Sequence, residues 1–273
     1  MSKVAIIIPA RYASTRFPGK PLEKVAGKEM LLRVWEVAQT VVKENEGATA
    51  YVATDDERIE NFCKEHNINY IMTSPDCETG TDRIIEAVEK LDDKPEFVIN
   101  MQGDNPLCPP WFVGDLVKAY LEDSSIDVAT PAINLSWEAL DTFRENKKTT
   151  PFSGTTVTMD MNGDAMYFSK NIIPAIRKED KLRETMEMSP VHRQPGLYGY
   201  KPSALERLKS MEKGTYERLE GLEQLRFMEN GIKVRCVKTD YRHLVDLAYM
   251  SGIDTPQDVE RAEKLYDKYG EIC

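Results

Sequence analysis

The stretch AIIIPARYASTRFPGKPL (5–22) runs an apolar strand-like segment into a loop carrying Arg11, Arg16 and Lys20. Arginine offers a flat fork of donors for phosphate oxygens, and lysine a compact point charge. With the hydroxyls of Ser14 and Thr15 and the loop's own N–H groups, the set suits a polyphosphate. Pro18 and Pro21 stiffen the loop, and Gly19 lets backbone come close to a ligand. The spacing is neither a Walker A sequence nor G-x-G-x-x-G, which disfavours those two nucleotide classes. The plainer alternative is a solvated, charged surface loop.

A second set is acidic. Asp104 lies in QGD and Asp254 in GIDTP, far apart in the chain. Mg²⁺ takes one or two carboxylates together with substrate oxygens and water, and two such aspartates can supply it. Taken singly, Asp104 also reads as a turn carboxylate and Asp254 as a helix N-cap. With three histidines, no Ser/His/Asp or Cys/His arrangement is evident.

These residues need a scaffold. Val4–Ile8 reads as a strand buried on both faces. Met30–Val42 has the spacing of an amphipathic helix. Strands are predicted at 48–54, 69–72 and 96–104, and helices at 55–66, 82–91 and 109–123, the last opening on prolines. Segment 127–135 reads as extended. This alternation predicts an α/β fold, a doubly wound and mostly parallel sheet whose ligands lie beyond the carboxyl ends of the strands. Both the Arg11–Lys20 loop and Gln102–Asp104 fall at such ends. Further on, Asn162–Gly163 is a hairpin signal between β-patterned runs in 155–169, flanked by polar stretches at 142–150 and 177–188. We expect an inserted β-hairpin subdomain over 136–200, between an α/β region at 1–135 and a second at 201–273 that completes one catalytic domain. In that last region, 215–231 reads as one amphipathic helix capped by Gly231, 233–239 as a strand, and 254–270 as a closing helix.

Of the 273 residues, 30% are charged and the net charge is −10, which argues against nucleic-acid binding yet leaves room for a local basic pocket. Five cysteines without a C-x-x-C pair suit reduced thiols. No apolar run approaches membrane-spanning length and the first residues lack a signal-peptide layout, so a cytoplasmic protein without membrane insertion is expected.

The opening loop resembles the signature of the 3-deoxy-manno-octulosonate (Kdo) cytidylyltransferases, the CMP-Kdo synthetases, within the sugar nucleotidyltransferases. The match continues in order through YVATDDERI (51–59), MTSPDCETGTDR (72–83), VINMQGDNP (98–106), AMYFSKNIIP (165–174), GLYGYKPSALERL (196–208), LEGLEQLRFMENG (219–231) and GIDTPQDVERA (252–262). The resemblance implies a nucleotidyltransferase, glycosyltransferase-A-like fold. It also implies a reaction in which the sugar's anomeric hydroxyl attacks the α-phosphate of CTP, giving a CMP-sugar and pyrophosphate for lipopolysaccharide or capsule.

The same resemblance implies site residues. Asp104 and Asp254 would hold Mg²⁺, while Arg16 and Lys20 would gather the β- and γ-phosphates, with Arg11 beside the nucleotide. Pro9, Ala10, Ser74, Thr79, Gly80, Thr81 and Gln102 are candidates for the base and the rest of the nucleotide, although Thr79 and Thr81 also read as a helix start. Arg177 would meet the sugar's carboxylate, with Gln194, Tyr198, Glu220, Glu223 and Gln224 on the acceptor side. As plain residues, the glutamates and Gln224 read as a solvated helix face and Tyr198 as core. A homodimer is implied, with the 155–169 hairpin as contact.

Three positions depart from the family pattern: Gln194 for a histidine, Ala175 for an aromatic residue, and Asn105 for a glutamate. A glutamine hydrogen-bonds but does not titrate near neutrality. All three lie toward the sugar side on the resemblance, so we expect conserved nucleotide chemistry and an altered sugar pocket, with 8-amino-Kdo as a fitting acceptor. The alternatives are a nucleotidyltransferase for another acidic sugar or using UTP, and a non-catalytic nucleotide sensor. A glycosyltransferase would want a D-x-D motif, for which DMNGD and MDM are poor substitutes.

Overall fold

Val4–Pro9 forms strand β1, and all but its last residue are buried. Ile6 and Ile8 face one apolar core while Ala5 and Ile7 face another, which is why the segment is apolar throughout. The computed structural model describes residues 3–13, 17–244 and 252–272. After β1 come a 3₁₀ turn at Lys20–Leu22 and a small ribbon of β2 (Lys24–Val25) and β3 (Lys28–Glu29). Then follow α1 (Met30–Glu44), β4 (Ala48–Thr54), α2 (Glu57–Glu65), β5 (Tyr70–Met72), α3 (Gly80–Lys90), β6 (Phe97–Asn100) and α4 (Pro110–Glu122). The next stretch holds β7 (Val128–Ser136), α5 (Trp137–Thr149), β8 (Thr155–Met159), β9 (Ala165–Ser169), α6 (Glu179–Thr185), β10 (Met188–Gln194) and β11 (Tyr198–Tyr200). The chain closes with α7 (Pro202–Ser210), α8 (Thr215–Glu220), α9 (Gln224–Glu229), β12 (Arg235–Thr239) and α10 (Pro256–Tyr269).

One ten-stranded sheet runs β5-β4-β1-β6-β11-β7-β10-β8-β9, with β12 alongside β7. Its first four strands are mutually parallel, as the βαβ rhythm predicts, and β12 is parallel to β7. β8–β11 join antiparallel, so the expected hairpin extends the main sheet. Helices cover both faces. Val34, Ile59, Phe112 and Tyr266 bring α1, α2, α4 and α10 onto one core. Ile84, Leu205 and Phe227 bring α3, α7 and α9 onto the other. A third, small cluster of Leu135, Leu140, Phe143 and Val191 lies under α5.

Three elements differ from the sequence expectation. The polar stretches around the hairpin contain α5 and α6. Ser136 caps α5, its Oγ accepting from the Ala139 N–H. Glu179 in α6 pairs with Arg144 and Arg183, which hold its carboxyl down at about 2. The predicted 215–231 helix is split into α8 and α9, because Gly221 takes the left-handed conformation with φ of 64°. Finally, β6 stops at Asn100, so Gln102 and Asp104 sit in the loop beyond it.

Among the described residues no helix is long and apolar enough to cross a membrane. Cys63, Cys77, Cys108 and Cys236 are free thiols, and Cys273 lies outside the described residues.

Candidate active site

Two hydrogen bonds bring the distant aspartates together. The Ile253 N–H donates to the Asp104 carbonyl at 2.8 Å, tying the segment before α10 to the loop after β6. The Tyr266 hydroxyl donates to the Pro106 carbonyl at 2.8 Å, docking α10 on the same loop. Thr255 takes the N-cap of α10 and forms a reciprocal capping box with Asp258. The residue before the cap is Asp254, so its side chain is not spent on the helix start. Its oxygens face Lys20, whose ammonium donates to Asp104 Oδ2 at 2.7 Å and to Asp254 Oδ1 at 3.2 Å. Gly103 permits this loop its path: a Cβ there would lie 2.8 Å from the Pro9 carbonyl oxygen.

Carboxylates that share one ammonium are close enough to share one hard divalent ion. Among the described residues no group of three or more acidic, histidine or cysteine side chains could hold a metal. Two carboxylates alone are a donor set that Mg²⁺ accepts, since it binds through one or two carboxylates and draws its remaining oxygens from phosphate and water.

The lysine and both aspartates line a cavity of about 300 Å³ at the carboxyl ends of β1 and β6, together with Pro9, Ala10, Arg11, Thr79, Gly80 and Gln102. Arg11 is exposed at its rim. Arg16 lies outside the described residues. The Ala10 N–H is donated to Ala53 and proline has no N–H, so Pro9 and Ala10 can offer a base acceptors only. Thr79 is the N-cap of α3 in a capping box with Asp82, and the first turn of that helix opens at the cavity. Gln102 donates its amide N–H to Asn100 Oδ1 at 2.7 Å.

Two expected nucleotide residues stand apart from this cavity. The Thr81 hydroxyl donates to Glu223 Oε1 at 2.7 Å. Ser74 lines a neighbouring acidic hollow, where its hydroxyl donates to Asp76 and its N–H to Glu86. Arg83 and Cys77 are among the lining residues that sequence reasoning missed. Arg83 is buried, bonded to Thr73 and paired with Asp55 at 3.2 Å. Its signal was available: a charged residue beside Ile84 on the apolar face of α3. Cys77 donates to Glu86 at 3.2 Å, and burial with that carboxylate pushes its thiol up to about 11, so it stays protonated.

The acceptor-side residues form a second polar group beside the first. Gln194 is buried and donates to Thr130 Oγ1 at 2.8 Å and to the Pro195 carbonyl. Its carbonyl accepts from Gln224 at 3.5 Å, and it also meets the Tyr198 hydroxyl. Burial raises the Tyr198 phenol, which stays neutral, and raises the Glu223 carboxyl against the pull of Thr81. Glu220 accepts from Ser169 Oγ and from the Lys170 N–H, at 2.8 and 2.7 Å.

Arg177 is exposed in the loop before α6, with no side-chain partner among the described residues. Lys170, which sequence reasoning passed over, is half-buried beside Glu220, and burial lowers its ammonium. The signal for Lys170 was a cation directly after the apolar β9. Of the departures from the family pattern, Ala175 is exposed, Asn105 is half-buried in the Asp104 loop, and Gln194 sits within the acceptor-side network.

Comparison with known proteins agrees with this geometry. Residues 5–234 match the family model described as cytidylyltransferase. The chain is 44% identical to the 3-deoxy-manno-octulosonate cytidylyltransferase of Maricaulis maris, covering 98% of this chain and 99% of that one. It is 38% identical to the enzyme of the same name from Bacteroides thetaiotaomicron, covering 95% and 96%. Among solved structures, a CMP:2-keto-3-deoxy-manno-octonic acid synthetase complexed with CTP superposes with a TM-score of 0.80. That protein is 32% identical, with 98% of this chain and 99% of that one covered.

Proposed function

Because the chain belongs to the 3-deoxy-manno-octulosonate cytidylyltransferases, a family of nucleotidyltransferase enzymes, we propose that it joins CMP from CTP to the anomeric oxygen of an acidic octulosonate, releasing pyrophosphate. The observation that carries this reading is the meeting of Lys20, Asp104 and Asp254, from three distant parts of the chain, in one cavity at the strand ends. Arg11, Arg16 and Lys20 bind the triphosphate and stabilise the charge that develops on the leaving pyrophosphate. Asp104 and Asp254 would hold Mg²⁺, which when bound would neutralise phosphate charge and ease ionisation of the attacking hydroxyl. Gln102, Gly80 and the carbonyls of Pro9 and Ala10 orient the nucleotide, and Arg83 braces that wall.

On the acceptor side, Tyr198, Glu223, Gln224 and Gln194 meet the sugar's hydroxyls, and Lys170 or Arg177 its carboxylate. The network around Gln194 supports an altered sugar pocket, and 8-amino-Kdo is the acceptor we favour over Kdo. We further infer a cytoplasmic homodimer that supplies activated sugar for lipopolysaccharide or capsule.

Pyrophosphate release from CTP tests the reading. It should require both Mg²⁺ and an octulosonate, and binding of CTP without turnover across a broad panel of sugar acids would rule the reading out. Comparing kcat/KM for the two sugars tests the finer claim. A clear preference for plain Kdo rejects 8-amino-Kdo and leaves cytidylyl transfer standing.

A further inference from the structure

We propose that Lys20 is a resident counter-ion that competes with the divalent metal: its ammonium holds Asp104 and Asp254 together until a triphosphate draws it away. The inference rests on the cytidylyl-transfer reading for the identity of the triphosphate, and on the geometry for the rest. The ammonium contacts both carboxylates, at 2.7 and 3.2 Å. The lysine side chain is 14% exposed, against 32% for Asp104 and 47% for Asp254, so it lies beneath them rather than reaching in from solvent.

Two carboxylates this close repel unless a cation stands between them. A lysine ammonium is small enough to fill that position as a point charge. A divalent ion seated on the two oxygens that accept from Lys20 would leave no room for an ammonium bonded to both. Metal and lysine are therefore alternatives at these oxygens.

The backbone around Lys20 is built to stay put while the side chain moves. The Leu22 N–H donates to the Gly19 carbonyl at 2.9 Å and the Glu23 N–H to the Lys20 carbonyl at 3.1 Å, closing the 3₁₀ turn. The Gly19 N–H donates to the Tyr12 carbonyl at 3.0 Å, tying the turn to the strand-end loop. A swing of the side chain alone exchanges the aspartates for phosphate oxygens. The consequence is an order of events: the nucleotide-free protein binds divalent metal weakly, and phosphates that take the ammonium open the carboxylates to the metal. One side chain thus serves first as a stand-in cation and then as a phosphate ligand.

The test is titration of the nucleotide-free protein with Mn²⁺ alone, reading free Mn²⁺ by electron paramagnetic resonance. Lys20→Met keeps the side-chain length and removes the charge. It should bind Mn²⁺ at least about tenfold tighter than wild type, and adding Asp254→Asn should abolish the gain. No gain in Lys20→Met, or a gain that survives Asp254→Asn, overturns the proposal. Should Lys20→Met fail to fold, Lys20→Gln is read in the same way. The unaltered protein gives an independent measurement with a non-hydrolysable CTP analogue, corrected for Mn²⁺ bound by the analogue itself. Its Mn²⁺ affinity should rise when the analogue is added, and an unchanged affinity overturns the proposal. The metal-only titration contains no nucleotide or sugar, so its failure leaves cytidylyl transfer intact, and a failure of turnover leaves the titration readable.

Discussion

On the proposed reading Lys170 and Arg177 are rivals for the sugar's carboxylate, and burial separates them. A cation binds an anion more tightly where water is partly excluded, and a freely hydrated guanidinium gains little. Lys170 is half-buried beside Glu220, while Arg177 is exposed. Lys170→Met should raise the sugar KM by about tenfold or more, the scale of one charged hydrogen bond. Arg177→Ala should change it by less than about twofold. Steady-state kinetics at saturating CTP decide, and the reverse ranking would return the role to Arg177. The sequence signal for Lys170, a cation directly after β9, was weak because a lysine after a strand also reads as a solvated residue. Its exclusion from water depends on Glu220 and on packing that no local pattern reports.

Glu223 offers a residue-scale test of how the acceptor side trades stability for binding. Burial raises its carboxyl above the ordinary value of 4.5, although the Thr81 hydroxyl pulls the other way. A carboxyl with a raised folded pKa favours the fold while protonated, and that contribution is lost as pH rises through the folded pKa. Glu223→Gln does not titrate and keeps a carbonyl for Thr81. Its melting temperature should therefore exceed that of wild type near neutral pH, and the difference should vanish below about pH 4. Thermal unfolding across pH measures this, and a Gln variant that is less stable near neutrality would refute it.

At the scale of elements, the junction between α8 and α9 aims two acceptor-side residues. Gly221 ends α8 in the left-handed region, Glu223 precedes the first turn of α9 and Gln224 begins it. An added Cβ at Gly221 meets nothing within 4 Å, so the cost of Gly221→Ala is backbone strain alone. That cost is about 1 to 2 kcal/mol, read as a lowered urea midpoint with an unchanged slope. This break was the hardest part of the fold to read from sequence. The apolar spacing of 215–231 continues through the glycine, and a glycine inside a helical pattern is ambiguous until its φ is known.

α5 and α6 were obscured for a different reason: their stability comes from Ser136 capping and from the Glu179 ion pairs rather than from a long apolar stripe. By contrast, β1 and α1–α4 carry apolar periodicity that needs no partner to be seen. Asp104 and Asp254 were legible as residue types at strand and helix ends. Their convergence depends on the Ile253–Asp104 and Tyr266–Pro106 hydrogen bonds, which sequence spacing does not encode.

At the scale of the whole molecule, the sheet path ends on β9, whose Ala165 N–H donates to the Val234 carbonyl at 2.8 Å while the rest of the strand pairs with β8. Exposed apolar side chains at the end of a sheet invite contact with another chain. Met166 on that strand is 62% exposed, and Leu219 and Tyr216 on the neighbouring α8 are 76% and 51% exposed. Tyr216 packs edge-on against Tyr167 of β9, with ring centroids 5.9 Å apart, so α8 lies beside this end of the sheet. The surface adjoins Glu220 and Lys170, so an occupant there also shields the acceptor side from water. A second copy of the chain is the occupant the homodimer reading requires. Met166→Glu combined with Leu219→Glu places like charges on both sides of a two-fold contact, where desolvation and repulsion act together. Sedimentation velocity should find wild type as a dimer and the double variant as a folded monomer. If water then reaches the Glu220 side, sugar KM rises while CTP KM stays near the wild-type value. A wild-type chain that sediments as a monomer, or a double variant that remains dimeric, removes this face from consideration as the contact.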